Sequence, residues 1–364
     1  LVQPVISVII PVYRNSKRLR AILEVLTKEK VEKEIIVVVD EPDEEIRGMR
    51  FEGVKFVFNE RRIGKPRALN QGVKLSKGDV LFFLDADTEV KEGILGKVEE
   101  GMRDCDILEL RKEVIRDSKI AKVVYYDYIA ANVTNWFMSR TVERCVGVNG
   151  AAFAMRRELF EEVGGFREVP TEDMDIAIRT FEKGKFKYLV EPVVKTEAPS
   201  TLRGLIKQRK RWSVGGIVYI RDHYKELLRG VAEHPVVALF ALFTYLPALA
   251  WLLLSLITPE GFFIALTTLI LAVISNYFPP LLSLFLLLSP PVVLLKNVIL
   301  GLLIFMGYLP VFYFFSRKLR YEFHIHEFLA YYFVYSPFWL LLLLVVMFNV
   351  FIYPRKLRVD WVPT

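Results

Sequence analysis

Charge is divided so unevenly along these 364 residues that one soluble fold cannot hold the whole chain. Of 49 Lys/Arg and 42 Asp/Glu, only seven and four fall in residues 236–364. Residues 1–235 therefore read as a charged globular part and the rest as an apolar block. Residues 236–257 carry no charge and are long enough to span a bilayer on the roughly 20-residue rule. Residues 262–288 are interrupted by Asn276 and Pro279-Pro280, which fits one kinked span or a re-entrant pair. Residues 292–315 carry only Lys296, and 328–352 form a last apolar run. About four spans are expected, because a soluble helical core has no need of such lengths. Two basic clusters, Arg317/Lys318/Arg320 and Arg355/Lys356/Arg358, both look cytoplasmic under the positive-inside rule. A single span between them cannot satisfy both, so either 328–352 is a hairpin or one cluster lies outside.

The net charge of +7 is spread over both parts, which is no signature of nucleic-acid binding. Basic residues beside apolar segments suit anionic lipid head groups better. Cys105 and Cys145 stand far apart without His or Cys at metal spacing, as expected for free thiols in a reducing compartment. Abundant Lys and Glu with few Cys suggests a thermophile. The chain opens on a strand pattern and not on the basic-then-apolar order of a signal peptide.

Within the charged part, the run VLFFL at 80–84 reads as a buried parallel strand and ends in Asp85-Ala86-Asp87. Two carboxylates one residue apart at a strand end can converge on one divalent cation. Two solvated turn acids are the plainer alternative, and the neighbouring segments weigh against it. Residues 5–12, 34–39 and 54–58 are further apolar strands, the second ending on Asp40. Helical spacing at 19, 22, 23 and 26, with Ser16 as cap, and again over 66–75, alternates with them. That alternation indicates a doubly wound α/β sheet. Ligands bind such sheets outside the carboxyl ends of the strands, where Tyr13, Asp40, Asp85 and Asp87 gather.

Other stretches are open to two readings. Gly64-Lys65-Pro66-Arg67 can approach a phosphate or be a surface loop. Tyr125, Tyr126, Tyr128, Trp136 and Phe137 fit a helix packed on the sheet better than an acceptor groove. The small residues of 147–154 leave room for a ligand or form a tight strand. Thr171-Glu172-Asp173-Met174-Asp175 opens a helix, yet three acids in four residues exceed what capping needs. One of them is a candidate general base. Residues 202–220 form an amphipathic helix with several bases beside Trp212, as for a helix lying on a membrane surface.

Together these residues resemble the membrane-bound family 2 glycosyltransferases of GT-A fold. The likeness rests on Pro11-Val12-Tyr13, Asp40, Gly64-Lys65 with Ala68-Leu69-Asn70, Asp85-Ala86-Asp87, Thr171-Glu172-Asp173 and Gln208-Arg209-Lys210-Arg211-Trp212. It covers residues 4–215 and the trailing membrane helices. The order of motifs is similar to the cellulose, chitin and hyaluronan synthase branch, which shares its last motif with ceramide glucosyltransferases. The resemblance implies that Tyr13 and Asp40 hold the nucleotide base and ribose, with Lys65 close by. It implies Mg²⁺ or Mn²⁺ at Asp85 and Asp87, and Asp173 as general base. Gln208, Arg211 and Trp212 would line the acceptor terminus and the diphosphate. Glu41-Pro42 departs from the usual pattern after the first Asp, so contacts to the base are expected to differ.

The expected architecture is thus α/β, a GT-A (Rossmann-like) catalytic domain followed by an all-α transmembrane region. Residues 1–200 form the catalytic domain, 201–235 the interface region and 236–364 the membrane part. The expected activity is inverting, metal-dependent transfer from a UDP- or GDP-sugar to a glycan or lipid acceptor. It would occur on the cytoplasmic side of a multi-pass protein of the cell membrane. The absence of a leading span and of an appended domain leaves a single-sugar glycolipid synthase beside a polysaccharide synthase. A degenerate transferase acting as a sensor on a transporter is the non-enzymatic alternative.

Overall fold

The computed structural model describes residues 5–275 and 291–352. Eight strands form one sheet: β1 (Ile6–Tyr13), β2 (Lys33–Asp40), β3 (Val54–Asn59), β4 (Val80–Leu84), β5 (Thr88–Glu89), β6 (Ile107–Val114), β7 (Ala152–Arg156) and β8 (Phe186–Thr196). Their order is β3-β2-β1-β4-β7-β6-β8-β5. The first four in that order are parallel, as expected for a doubly wound sheet. β7 runs antiparallel to both β4 and β6, so the sheet is mixed. The strand proposed for the small-residue segment thus begins at Ala152, and 147–151 approaches it as a loop.

Around the sheet pack α1 (Leu19–Lys28), α2 (Glu44–Gly48), α3 (Lys65–Lys74), α4 (Ile94–Gly101), α5 (Lys119–Thr141), α6 (Arg157–Glu162) and α7 (Glu172–Arg179). Alternate residues of β1 and β2 bury on opposite faces of the sheet. Ile6, Val8 and Ile10 meet α1, whereas Ile9 meets Leu69 and Val73 of α3. Ser16 does not cap α1, whose N-cap is Arg18; its hydroxyl donates to Ala86 O at 2.5 Å instead. The loop after β1 is thereby tied to the turn between Asp85 and Asp87.

The sheet is followed by α8 (Leu202–Asp222), α9 (Tyr224–Glu233), α10 (Pro235–Tyr245), α11 (Pro247–Ile257) and α12 (Glu260–Ser275). Helix Pro291–Lys318 comes next, then Ile325–Ala330, a π-helical turn at Tyr331–Tyr335 and helix Ser336–Ile352. The expected span at 236–257 is broken into α10 and α11. Pro247 has no N–H to donate and disfavours helical geometry at Leu246, so the helix ends there. Among the described residues two helices are long and apolar enough to cross a bilayer, Lys296–Lys318 and Ile325–Val350. A third is reached if α9 and residues 235–244, bent by 110°, count as one span. The run at 328–352 is helical as far as Ile352 and is no hairpin. Asn276, Pro279-Pro280 and the Arg355 cluster lie outside the described residues.

The aromatic side of α5 faces these helices. Tyr125 and Tyr126 are buried among Tyr308, Phe312, Tyr321, Phe328 and Tyr331. Tyr126 Oη donates to His324 O (2.9 Å) and accepts from His324 N (2.7 Å). Tyr125 does the same with Glu322, at 3.3 and 3.0 Å. Tyr321 Oη reaches Lys112 O at 2.7 Å, and Arg116 pairs with Glu322 and Glu327. Residues 319–324, between the two long helices, are therefore bound to the sheet domain. This puts the Arg317/Lys318/Arg320 cluster on the sheet domain's side.

Candidate active site

Asp40, at the C-terminal end of β2, is buried and spends its carboxylate on the protein. Oδ2 accepts from Ile63 N (3.0 Å) and Gly64 N (2.8 Å), and Oδ1 accepts from Asn59 Nδ2 (3.0 Å). These bonds shape the loop that launches α3, whose first residue is Lys65. Lys65 Nζ lies 2.7 Å from Asp85 Oδ1 and 3.4 Å from Glu172 Oε1. Burial works against its charge, but Asp85, Glu172 and Asp173 outweigh it and hold the ammonium well above its usual pKa. Glu172 is buried, and burial raises its pKa against the pull of Lys65.

Asp87 stands at the lip of the site, exposed by surface area yet crowded by protein. That desolvation, together with the charge on Asp85, pushes its pKa up to about 6. Among the described residues its carboxylate has no hydrogen bond or ion pair to another side chain. Asp85 and Asp87 thus form an electron-rich pair with one member free. No group of three or more His, Cys, Asp or Glu able to hold a metal occurs among the described residues. Two carboxylates still fit Mg²⁺ or Mn²⁺, which commonly bind one or two protein carboxylates and complete their shell with substrate phosphates and water.

The three acids that open α7 have three different partners. Glu172 meets Lys65, and Asp175 is bound by Arg179 (2.8 Å) and His223 (3.2 Å). Asp173 Oδ2 accepts from Gly150 N (2.8 Å) and its Oδ1 from Met174 N (2.9 Å). A Cβ at Gly150 would sit 2.9 Å from Asp173 Oδ2, so only glycine admits this approach. Thr171 occupies the N-cap position without a side-chain cap bond. Asn70 of α3 exchanges two hydrogen bonds with the backbone of Phe166 and steadies the approach to this turn.

Tyr13 ends β1. Its hydroxyl donates to Glu41 Oε2 at 3.1 Å, and the guanidiniums of Arg14 and Arg62 lie 5.2 and 4.8 Å from its ring centroid. Arg14 and Glu41 both have positive φ, at 59° and 51°, a strained state for side-chain-bearing residues. Glu41 thus takes part in the environment of Tyr13, while Asp40 supports it from behind.

Helix α8 reaches the site at Gly215, where a Cβ would lie 2.4 Å from Thr171 Cγ2. Gln208, Arg211 and Gly215 are spaced to share one helix face. Gln208 Oε1 is buried without a hydrogen-bond partner, and Arg211 has no ion pair among the described residues. Trp212 is turned elsewhere: its ring packs 4.1 Å from the Arg209 guanidinium. Arg209 is fully buried, pairs with Asp127 of α5 at 2.8 Å, and also faces Tyr335 and Trp339. Sequence reasoning assigned no role to Arg209, Asp127 or Arg62: Asp127 shows only as a charge in an aromatic run, and Arg209 and Arg62 are lost among neighbouring charges. The surface position expected of α8 is also only half right. Leu205, Arg209, Ser213, Val214, Gly215, Ile217 and Tyr219 are buried, whereas α9 buries nothing and exposes Tyr224, Leu228 and Val231.

A mixed α/β sheet with acids beyond the end of β4, Lys65 bridging Asp85 to Glu172, and helices apolar enough to cross a bilayer has the form of a GT-A-type transferase. Residues 4–215 match the family model described as "Glycosyltransferase like family 2". The chain belongs to this family. It is similar to glucomannan 4-beta-mannosyltransferase 1 of Oryza sativa, 40% identical over 94 residues, 25% of this chain and 18% of that protein. Beta-monoglucosyldiacylglycerol synthase of Trichormus variabilis is 28% identical over 172 residues, 46% of this chain and 36% of that protein. The chain thus aligns with well under half the length of either relative. Among solved structures, the mannosyltransferase PcManGT from Pyrobaculum calidifontis, in complex with GDP-Man and Mn²⁺, gives a TM-score of 0.51 at 17% identity. The match covers 81% of this chain and 87% of that one, a likeness of fold.

Proposed function

We propose that this chain moves a sugar, with inversion, from a UDP- or GDP-sugar to a glycan or lipid acceptor at the cytoplasmic face of the cell membrane. The observation that carries this is the meeting of Lys65, Asp85, Glu172 and Asp173, beside a free Asp87, at the end of β4. Asp85 and Asp87 would hold Mg²⁺ or Mn²⁺. A divalent ion bound there offsets the charge of the departing diphosphate. Arg211, lacking an ion pair among the described residues, is available to the same phosphates. Asp173 is held by two backbone N–H groups and keeps lone pairs for the proton of an acceptor hydroxyl. In-line attack from the face opposite the diphosphate turns an α-linked donor into a β-linked product, the linkage printed in the names of both relatives. Tyr13 and Asp40 serve the base and ribose, the latter through the loop it braces. Gln208 borders the acceptor, and Trp212, packed on the Arg209 guanidinium, supports that helix from behind. The two long apolar helices and the bare apolar stripe of α9 support a multi-pass protein in contact with membrane lipids.

Within this reading, one observation favours addition of a single sugar to a lipid. Among the described residues, Tyr308, Phe312, Phe328 and Tyr332 of the helical region pack on one another and on α5, not around an open sugar-wide tunnel. One of the relatives makes a glycolipid.

Detergent-purified protein, given Mn²⁺ and a panel of UDP- and GDP-sugars, should release nucleoside diphosphate from one donor. Asp173→Asn should abolish that release while leaving nucleotide binding intact. Absence of both release and nucleotide binding, with membrane lipids supplied, would defeat the proposal.

A further inference from the structure

Behind the loop that holds Asp173 lies an ion pair with no part in the chemistry above. Glu109 and Lys112 of β6 are 1% and 0% exposed, and Lys112 Nζ donates to Glu109 Oε1 at 2.8 Å. Residues three apart on a regular strand point to opposite faces. Beside this pair the ladder to β8 is irregular, Leu110 pairing with Leu189 and Arg111 with Val193, so that residues 190–192 of β8 are left out of the ladder. Burying two charges costs about as much as their attraction returns, so apolar residues would fill the same volume at no loss of stability. The pair therefore needs a reason other than stability.

Its remaining contacts supply one. Glu109 Oε2 accepts from Asn135 Nδ2 at 2.8 Å, and the same amide donates to Gly147 O at 3.2 Å. Glu109 Oε1 also accepts from Asn149 N at 3.4 Å. Asn149 in turn accepts from Ala151 N through its side-chain oxygen. Both ends of the segment 147–151 are thus fastened, at Gly147 and at Ala151, whose carbonyl accepts from Asp85 N at 2.9 Å. Between them, Gly150 points its N–H at Asp173. Lys112 lies within the electrostatic reach of both Asp173 and Asp85.

We propose that Glu109 and Lys112 are positioning residues for transfer: through Asn135 and Asn149 they fix Gly150, and through Gly150 the carboxylate of Asp173. This rests on the assignment of Asp173 as the base. Burial pushes the Glu109 carboxyl up and Lys112 opposes it; with the proton on Lys112, both Glu109 oxygens act as acceptors, as their contacts to Asn135 and Asn149 require. A displacement of the base of about an ångström costs on the order of a hundredfold in rate.

The test is the double variant Glu109→Leu/Lys112→Met, with Glu109→Gln beside it, each followed by thermal unfolding, turnover and binding of Mn²⁺ with a nucleoside diphosphate. The double variant should melt near the parent and bind nucleotide with unchanged affinity. Its kcat should fall at least ~tenfold with donor KM within about twofold. Glu109→Gln, which keeps the shape and one acceptor, should lose less. A folded double variant with the parent's kcat overturns the proposal. So does a loss in which nucleotide affinity falls as far as kcat, and so does failure of both variants to fold, which assigns the pair to stability alone. A parent protein that turns over no donor refutes the transferase reading itself, whereas an active parent beside an unimpaired variant removes only the positioning role.

Discussion

Arg209 and Asp127 meet at 2.8 Å with both side chains sealed from solvent, and three aromatic rings surround the guanidinium. The pair joins α8, which carries Gln208 and Arg211, to α5 and to the helical region. Removing one partner strands the other's charge in the interior. Asp127→Asn should therefore destabilise the protein by about 3–5 kcal/mol, while Asp127→Leu/Arg209→Met recovers most of that loss. Thermal unfolding in detergent measures both, and a single variant as stable as the parent would refute this account of the interface.

Asp87 gives a pH dependence. Its folded pKa, raised to about 6, means that ionising it opposes stability above that pH, and protonating it relieves the strain below. Metal binding needs the ionised form. Affinity for Mn²⁺ should thus decline as the pH drops through about 6 and level off above it, measured by titration calorimetry with nucleoside diphosphate present. Asp87→Asn should show weak binding and a flat profile across the same range.

Gly215 is the point where α8 touches the turn that carries the proposed base. Gly215→Val places methyl groups where Thr171 already stands, so α8 must retreat. Overpacking of this kind costs about 1–3 kcal/mol. Turnover should fall further than that figure suggests, because Arg211 moves with the helix. Gly216→Ala, next in sequence with open space at its Cβ, is the control and should leave kcat unchanged.

Tyr126→Phe leaves the N–H and C=O of His324 without their partner. The expected loss is about 1–3 kcal/mol. Hydrogen exchange should quicken around residues 322–326 and remain as slow as before in β1 and β2. Uniform quickening would show that the tyrosine supports the whole fold and not this junction.

Much of the catalytic half was readable because its logic is local. Buried parallel strands are continuous apolar runs, and the residues proposed for the chemistry stand where each run stops, as at Tyr13, Asp40 and Asp85. Features that depend on tertiary geometry were not. Nothing in the text LELRKEV says that Glu109 and Lys112 meet as a buried pair. Arg209 looks like one more base on a polar helix until α5 supplies Asp127 and the helical region supplies Tyr335 and Trp339. The break at Pro247 was legible, since a proline at the first turn marks a helix start, but the uncharged run around it masked the signal. Residues 202–220 read as the surface amphipathic helix; that α8 is partly covered while α9 buries nothing depends on what the rest of the molecule packs against, which hydropathy does not report.

On the proposed reading, the paired tyrosine bonds to Glu322 and His324 would act as a spacer: residues 319–324 are fastened to α5 and lie between the two long apolar helices. The site would then keep one height over the lipid, and the depth of an acceptor hydroxyl would become a criterion of selection.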